Sequence, residues 1–339
     1  MKAVVLRELG GPEVLQLEEV PVPSAAAHEV LVKVLAVGVS YHDVVQRNGV
    51  MRRHTPLPII LGYEIAGRVE AVGADVTSLE VGDLVCTKAF HSCGMCRPCR
   101  TGMETSCARR QAVHGGYAEY VALPEEVCVA FPATLAPEAA CMLGASTGVA
   151  INAVRDTGQV RLGERVLVTG ASGGVGLSAV AVARLAGASV IALTRSASKE
   201  AALREAGADH VLVANEGEDF SAQAKALTGG IGVDLVIDAV GSRVFTPSFK
   251  SLAPGGRYAM VGQLFRENIS INPAFIFFQR ARILGVGSVR RDQLQDAVTM
   301  AASGQIRPKV ASVMPLQAVA EAHRMVEAGE VVGRIVLRP

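Results

Sequence analysis

The sequence predicts an α/β chain built in two parts, a β-rich amino-terminal part and a doubly wound parallel sheet. Three observations carry this. Short β-branched runs broken by Gly and Pro fill the region from Met1 to about Ala130. From Glu164 onward, strand and helix patterns alternate at the spacing of βαβ units. Between the first strand and first helix of that alternation stands a glycine-rich turn, where such chains open a phosphate-binding site.

In the first part, Val30 to Val37 and Gly67 to Val72 read as strands of an irregular all-β packing. In the second, Arg165–Thr169 is a strand, Val175 to Leu185 a helix and Ser189–Leu193 a strand; a helix from about Ser198 to Ala206 and a strand at His210–Val213 follow. Apolar strands at Leu235–Ile237, Tyr258–Val261 and Ile283–Val286 bring the set to six, enough for a complete dinucleotide-binding sheet, with a turn expected at Pro254-Gly255-Gly256. The tail carries helical periodicity at Leu294–Ala302 and Leu316–Val326 and ends in a strand at Arg334–Leu337.

Composition narrows the function. Half of the 339 residues are hydrophobic and 19% are charged, which is too apolar for disorder and sufficient for a large core. Lys and Arg number 33 against 32 Asp and Glu, so no excess positive charge suits a nucleic acid or an anionic membrane surface. Small-molecule substrates are the expected partners. The longest uncharged run, Val166 to Ala183, contains four glycines and reads as a turn rather than a membrane span. The opening MKAVVLRELGG has no uninterrupted apolar core, so a cytoplasmic location is expected.

The turn reads Gly170-Ala171-Ser172-Gly173-Gly174-Val175-Gly176. Glycines there let the backbone approach a pyrophosphate, and the amides at the helix start point at its oxygens. About twenty residues on, an acidic side chain would bind the ribose 2′-hydroxyl of NAD. This chain has Thr194-Arg195-Ser196 with Lys199 following, so hydroxyls and cations stand ready for a 2′-phosphate and NADPH is the expected cofactor. The alternative is that Arg195 and Lys199 only solvate a helix start.

Seven cysteines do not make a fully paired disulfide set, and four of them, Cys93, Cys96, Cys99 and Cys107, fall within fifteen residues. Close thiolates turned toward one centre close a tetrahedral shell with no open position, so one structural Zn2+ per chain is expected. An iron–sulfur cluster is the competing occupant. Cys86, Cys128 and Cys141 read as small buried hydrophobes.

Taken together, the opening MKAVVL, Gly62-Tyr63-Glu64, Val81-Gly82-Asp83, the four-cysteine lobe, Ser146-Thr147-Gly148, the glycine-rich turn, Asp238-Ala239-Val240-Gly241 and the closing Gly333-Arg334-Ile335-Val336-Leu337 resemble the medium-chain dehydrogenase/reductase superfamily. The resemblance implies a GroES-like catalytic domain over residues 1–144 with 285–339, and a Rossmann NADP(H)-binding domain over 145–284. It further implies that Thr147, Val240, Gly262 and Arg334 join the turn in holding the cofactor, and that the protein forms homodimers or homotetramers.

One departure is informative. Where zinc alcohol dehydrogenases of this family hold a catalytic metal by Cys, His and Cys, this chain carries Ser40, Tyr63 and Leu143. A hydroxyl, a phenol and an alkyl group do not replace two thiolates and an imidazole. Zinc there stabilises an alkoxide; without it, conjugate reduction of an activated alkene is favoured, because an enolate can be stabilised by hydrogen-bond donors alone. The zinc-free quinone reductases and acryloyl-CoA-type reductases of the family show such chemistry. Tyr63, Tyr41 and Ser40 are the expected donors and His42 the expected proton source, with Asp43 orienting a neighbour; the alternative for Tyr41 and His42 is ordinary packing. The loop Arg52-Arg53-His54 is a candidate anion contact or a plain solvated loop. An alcohol dehydrogenase using another electrophile, or a cofactor-binding regulator without turnover, are the competing functions.

Overall fold

The computed structural model describes residues 1–50, 56–265 and 267–339, so Arg52, Arg53 and His54 lie outside the described residues. The chain divides into two compact units, Met1–Gly148 with Ser288–Pro339, and Val149–Gly287.

The first unit centres on a seven-stranded sheet in the order Cys128–Ala130, Leu84–Thr87, Glu64–Val72, Glu29–Val39, Arg334–Arg338 and Val310–Pro315, with Tyr120–Pro124 also paired to Glu29–Val39. Alternation along Glu29–Val39 sends Val30, Val32 and Val34 into the core, where they meet Ile65, Val69, Val121 and Leu123. The last strand runs antiparallel to Glu29–Val39, with Ile335 opposite Val39, and so ties the tail to the amino-terminal unit.

One element departs from the all-β expectation. Residues Tyr41–Arg47 form a helix, capped by Ser40. Ser40 Oγ accepts from the Asp43 amide at 3.3 Å while Asp43 Oδ2 accepts from the Ser40 amide at 2.9 Å, a reciprocal capping box. The sequence signal, Ser followed three residues later by Asp, is present.

The second unit is a six-stranded parallel sheet in the order His210–Val213, Ser189–Thr194, Arg165–Thr169, Val233–Asp238, Leu252–Met260 and Arg282–Gly285. This is the dinucleotide-fold order, with the reversal between the third and fourth strands of that list. Pro254-Gly255-Gly256 is not a separate turn: Val233 pairs with Leu252 and Leu235 with Arg257, so these residues bulge within one continuous strand. The expected helix near Ser198 begins as a 3-10 turn, Ala197–Lys199, and continues as an α-helix over Glu200–Glu205.

A buried polar chain fixes the helix Tyr41–Arg47 against the tail helix Val319–Ala328. The Arg47 guanidinium, 1% exposed, donates to His323 Nδ1 at 3.1 Å and to the Gly10 carbonyl at 3.1 Å. Because Arg47 can only donate, His323 Nδ1 must accept, and its Nε2–H therefore faces Tyr117 Oη at 3.1 Å. Burial holds His323 down at about 4, against 6.5 for the free side chain. As pH falls, the unfolded chain takes up this proton first. Its stabilisation is present above pH 6.5 and is lost progressively toward pH 4, by a few kcal/mol in all. Urea midpoints measured between pH 7 and 4.5 should fall less steeply for His323→Gln than for the wild type; equal slopes would remove His323 from the acid response.

Candidate functional site

Three of the four expected catalytic residues converge in the first unit. The His42 and Tyr63 rings meet edge to face, with centroids 5.0 Å apart. Asp43, fully buried, binds this group together: Oδ2 accepts from Ser40 Oγ at 2.6 Å and Oδ1 accepts from the Gly62 amide at 3.2 Å. Tyr41 occupies the first position of the same helix, and no hydrogen bond joins it to the others among the described residues.

This geometry separates the roles. The Ser40 hydroxyl has one proton, which it donates to Asp43, so Ser40 is a helix cap rather than a free donor. Burial, with Glu64 and Asp43 adding negative charge, pushes the Tyr63 phenol far above its ordinary range. It stays protonated at any physiological pH and can donate a hydrogen bond without surrendering its proton. Burial lowers the His42 pKa, opposed by Asp43, and His42 Nδ1 is buried without a partner. His114, which sequence reasoning did not single out, likewise has a buried, unpartnered Nδ1 and a pKa lowered by burial.

Beside Tyr63 lies a second group. Arg334 Nη2 donates to Glu64 Oε1 at 2.8 Å and to Ser146 Oγ at 3.0 Å. Arg334, expected at the cofactor, is thus held by this pair. Burial raises Glu64 to about 7 despite the guanidinium beside it. Leu143 is fully buried at the start of a π-helical segment, Leu143–Gly148, which also contains the buried Thr147. The nearby Cys141 thiol is buried, donates to the Glu138 carbonyl at 3.3 Å, and is pushed well above its usual range by burial, so it is not a ready thiolate.

In the second unit the glycine-rich turn joins Arg165–Thr169 to the helix Gly174–Leu185. Gly173 caps that helix with no side-chain hydrogen bond, leaving its first amides uncovered by a side chain. A Cβ at Gly176 would lie 2.2 Å from the Gly170 carbonyl oxygen, so the close approach of helix and turn requires glycine there. Space beside Gly173 is open apart from the Gly170 oxygen at 3.5 Å. This turn lacks any acidic side chain and fits a pyrophosphate. Asp238 braces it: Oδ1 accepts from Thr169 Oγ1 at 2.5 Å and from the Val240 amide at 2.9 Å, while Oδ2 accepts from Tyr258 Oη at 2.7 Å. Gly262 follows the neighbouring strand, its amide 3.3 Å from the Asp238 carbonyl.

At the end of Ser189–Thr194, Arg195 is exposed and Ser196 Oγ pairs with Ser198 Oγ at 2.8 Å. Thr194 is buried and receives the Ser196 amide at 3.3 Å, shaping the bend. Lys199 turns back to Ser172 Oγ of the glycine turn, 3.4 Å away. Lys199 thus reaches the turn, and Arg195 and Ser196 follow the end of the neighbouring strand on the same unit.

Cys93, Cys96, Cys99 and Cys107 place their Sγ atoms within 4.8 Å of one another, the only such group of potential metal ligands among the described residues. Separations of 3.9 Å (Cys93–Cys99), 3.4 Å (Cys96–Cys99) and 3.5 Å (Cys107–Cys93) bracket the edge of about 3.8 Å in a tetrahedron with ~2.3 Å metal–sulfur bonds. The Cys96 and Met95 amides pull Cys93 down to about 5, whereas burial and the neighbouring thiols push Cys99 up to about 12. Four adjacent thiolates repel, and a divalent cation removes that conflict.

Residues 26–133 match the alcohol dehydrogenase GroES-like domain, and residues 174–303 match the zinc-binding dehydrogenase family. An acryloyl-coenzyme A reductase of Sulfurisphaera tokodaii is 34% identical over 100% of both chains. The crystal structure of AibC superposes with a TM-score of 0.93 at 42% identity, covering 100% of this chain and 96% of that one. That of an NAD-dependent alcohol dehydrogenase gives a TM-score of 0.93 at 36% identity over 100% of both. With both domains matched and relatives similar along their whole length, this chain belongs to the medium-chain dehydrogenase/reductase superfamily and is an oxidoreductase.

Proposed function

We propose that this protein uses NADPH to reduce an activated carbon–carbon double bond, in an enone, quinone or enoyl thioester, without a catalytic zinc, and that the four cysteines hold one structural zinc. The observation that carries the reading is that Ser40, Tyr63 and Leu143 stand where the family's metal ligands are expected, at a place where a half-buried phenol is held protonated. The similarity to an acryloyl-coenzyme A reductase supports it.

When bound, the nucleotide supplies the hydride to the β-carbon. Tyr63 Oη donates a hydrogen bond to the substrate's carbonyl oxygen, and that bond strengthens as negative charge moves onto the oxygen. Asp43 fixes the backbone beside the phenol by accepting the Gly62 amide and holds the Ser40 hydroxyl, which leaves the Tyr63 proton for the substrate. His42, in contact with Tyr63, hands a proton to the α-carbon from its imidazolium form, which burial keeps to a minor fraction at neutral pH, and is reprotonated from solvent. Beside the glycine turn, Arg195, Ser196 and Lys199 bind the 2′-phosphate.

The working form is an oligomer. Helix Pro273–Gln279 leaves Phe277 and Phe278 76% and 77% exposed, next in sequence to Arg282–Gly285, the edge strand of its sheet. Such a surface is suited to a second copy. No described helix is long and apolar enough to cross a membrane.

Three outcomes test this reading. Across a panel of enones, quinones, enoyl-CoAs and ketones, NADPH consumption should be confined to the activated alkenes and quinones, and Tyr63→Phe should lower kcat by about 10²-fold with unchanged NADPH affinity. Full activity in that variant would displace Tyr63. Arg195→Ala should weaken NADPH binding about tenfold or more while sparing NADH, as expected for one charge-assisted contact; an unchanged preference would show that another group reads the phosphate. Metal analysis should find one zinc per chain, abolished by Cys99→Ser. Iron with sulfide in its place would overturn the structural-zinc assignment.

A further inference from the structure

The cysteine lobe is joined to the candidate site by two consecutive residues. Lys88 is 1% exposed, an unusual burial for an ammonium, and it sits between two carboxylates. One, Glu104, lies inside the lobe between Cys99 and Cys107 and accepts from Lys88 Nζ at 2.8 Å. The other, Glu126, pairs with the same ammonium and accepts from Ser92 Oγ at 2.8 Å at the lobe's entry. Such a cation is retained only because both partners are in place.

The residue before it faces the other way. Thr87 Oγ1 donates to the Tyr63 carbonyl at 2.8 Å and accepts the Ile65 amide at 3.1 Å, which fixes the backbone on both sides of Glu64. The segment containing Ser146 also rests on this pair: a Cβ at Gly144 would lie 2.1 Å from the Thr87 carbonyl oxygen and 3.3 Å from Lys88 Cα. A second path leaves the same carboxylate. Glu104 Oε1 accepts the Arg291 amide at 3.0 Å, at the start of helix Arg291–Ala302, and that helix packs on Leu143–Gly148.

We infer that Glu104 is a positioning residue. Through Lys88–Thr87 and through Arg291, it transmits the folded state of the cysteine lobe to the backbone of Tyr63–Ile65 and of Leu143–Gly148. The lobe is therefore part of what holds the phenol and the Glu64–Arg334–Ser146 group in register. Neither path depends on which substrate is reduced.

The test is amide hydrogen exchange on the full-length, zinc-loaded protein, comparing wild type, Glu104→Gln and Glu104→Asp at equal measured zinc content. Loss of the carboxylate charge should speed exchange at Ile65 and across Leu143–Gly148 about tenfold, leave strand Lys2–Leu6 unchanged, and be largely rescued by Glu104→Asp. Chelation of the metal from the wild type should speed exchange in the same two segments. Unchanged exchange there in either experiment, or a uniform rise that includes Lys2–Leu6, would overturn the inference. Because no substrate is involved, a failure of the alkene assay leaves this result standing, and the reverse also holds.

Discussion

The candidate site depends on the antiparallel pairing of the last strand with Glu29–Val39. Ile335 opposes Val39 and, on the other side of the same strand, Gly38 opposes Glu64. Three strands from distant parts of the chain thus present Glu64, Ser40 and Arg334 at one level of the sheet. The Glu64–Arg334 pair forms because register leaves these two groups side by side in a buried place. An uncompensated charge there would cost several kcal/mol, so either partner demands the other. One-residue slippage would turn Arg334 to the opposite face and leave Glu64 alone.

Much of the fold was legible because the signals were local. Strands Arg165–Thr169 and His210–Val213 coincide with their apolar runs, and the glycine turn stands where a strand meets a helix. The helix Tyr41–Arg47 was read as part of a β-rich region because its core-facing Val44 and Val45 resemble strand residues, and its capping signal rests on a single serine and aspartate. The bulge at Pro254-Gly255-Gly256 looked like a turn for a similar reason: the residues that make turns also make bulges, and only the neighbouring strand decides.

The site was legible as a set of residues and less so as a set of roles. Ser40, His42 and Tyr63 come together, yet Ser40's proton goes to Asp43, a commitment no spacing rule discloses. Arg334 was linked to the cofactor by its place in a closing motif; its partners, Glu64 and Ser146, lie 270 and 188 residues away and depend on sheet register. Lys88 gave no signal at all, since an isolated lysine in an apolar stretch reads as surface until its two carboxylates are seen around it. The cysteine cluster is the opposite case, because its spacing alone constrains the loop enough to gather four sulfurs.

The proposed function divides the chemistry between two places: four cysteines that would hold a metal in one lobe, and a half-buried phenol that would donate to the substrate oxygen. The most direct measurement of that division is the fate of the transferred hydride. With NADPH carrying deuterium at the transferable position of its nicotinamide C4 and an α,β-unsaturated ketone as substrate, mass spectrometry and NMR of the product should place the label on the β-carbon, with the carbonyl intact. Label on the carbinol carbon of an allylic alcohol would contradict the account.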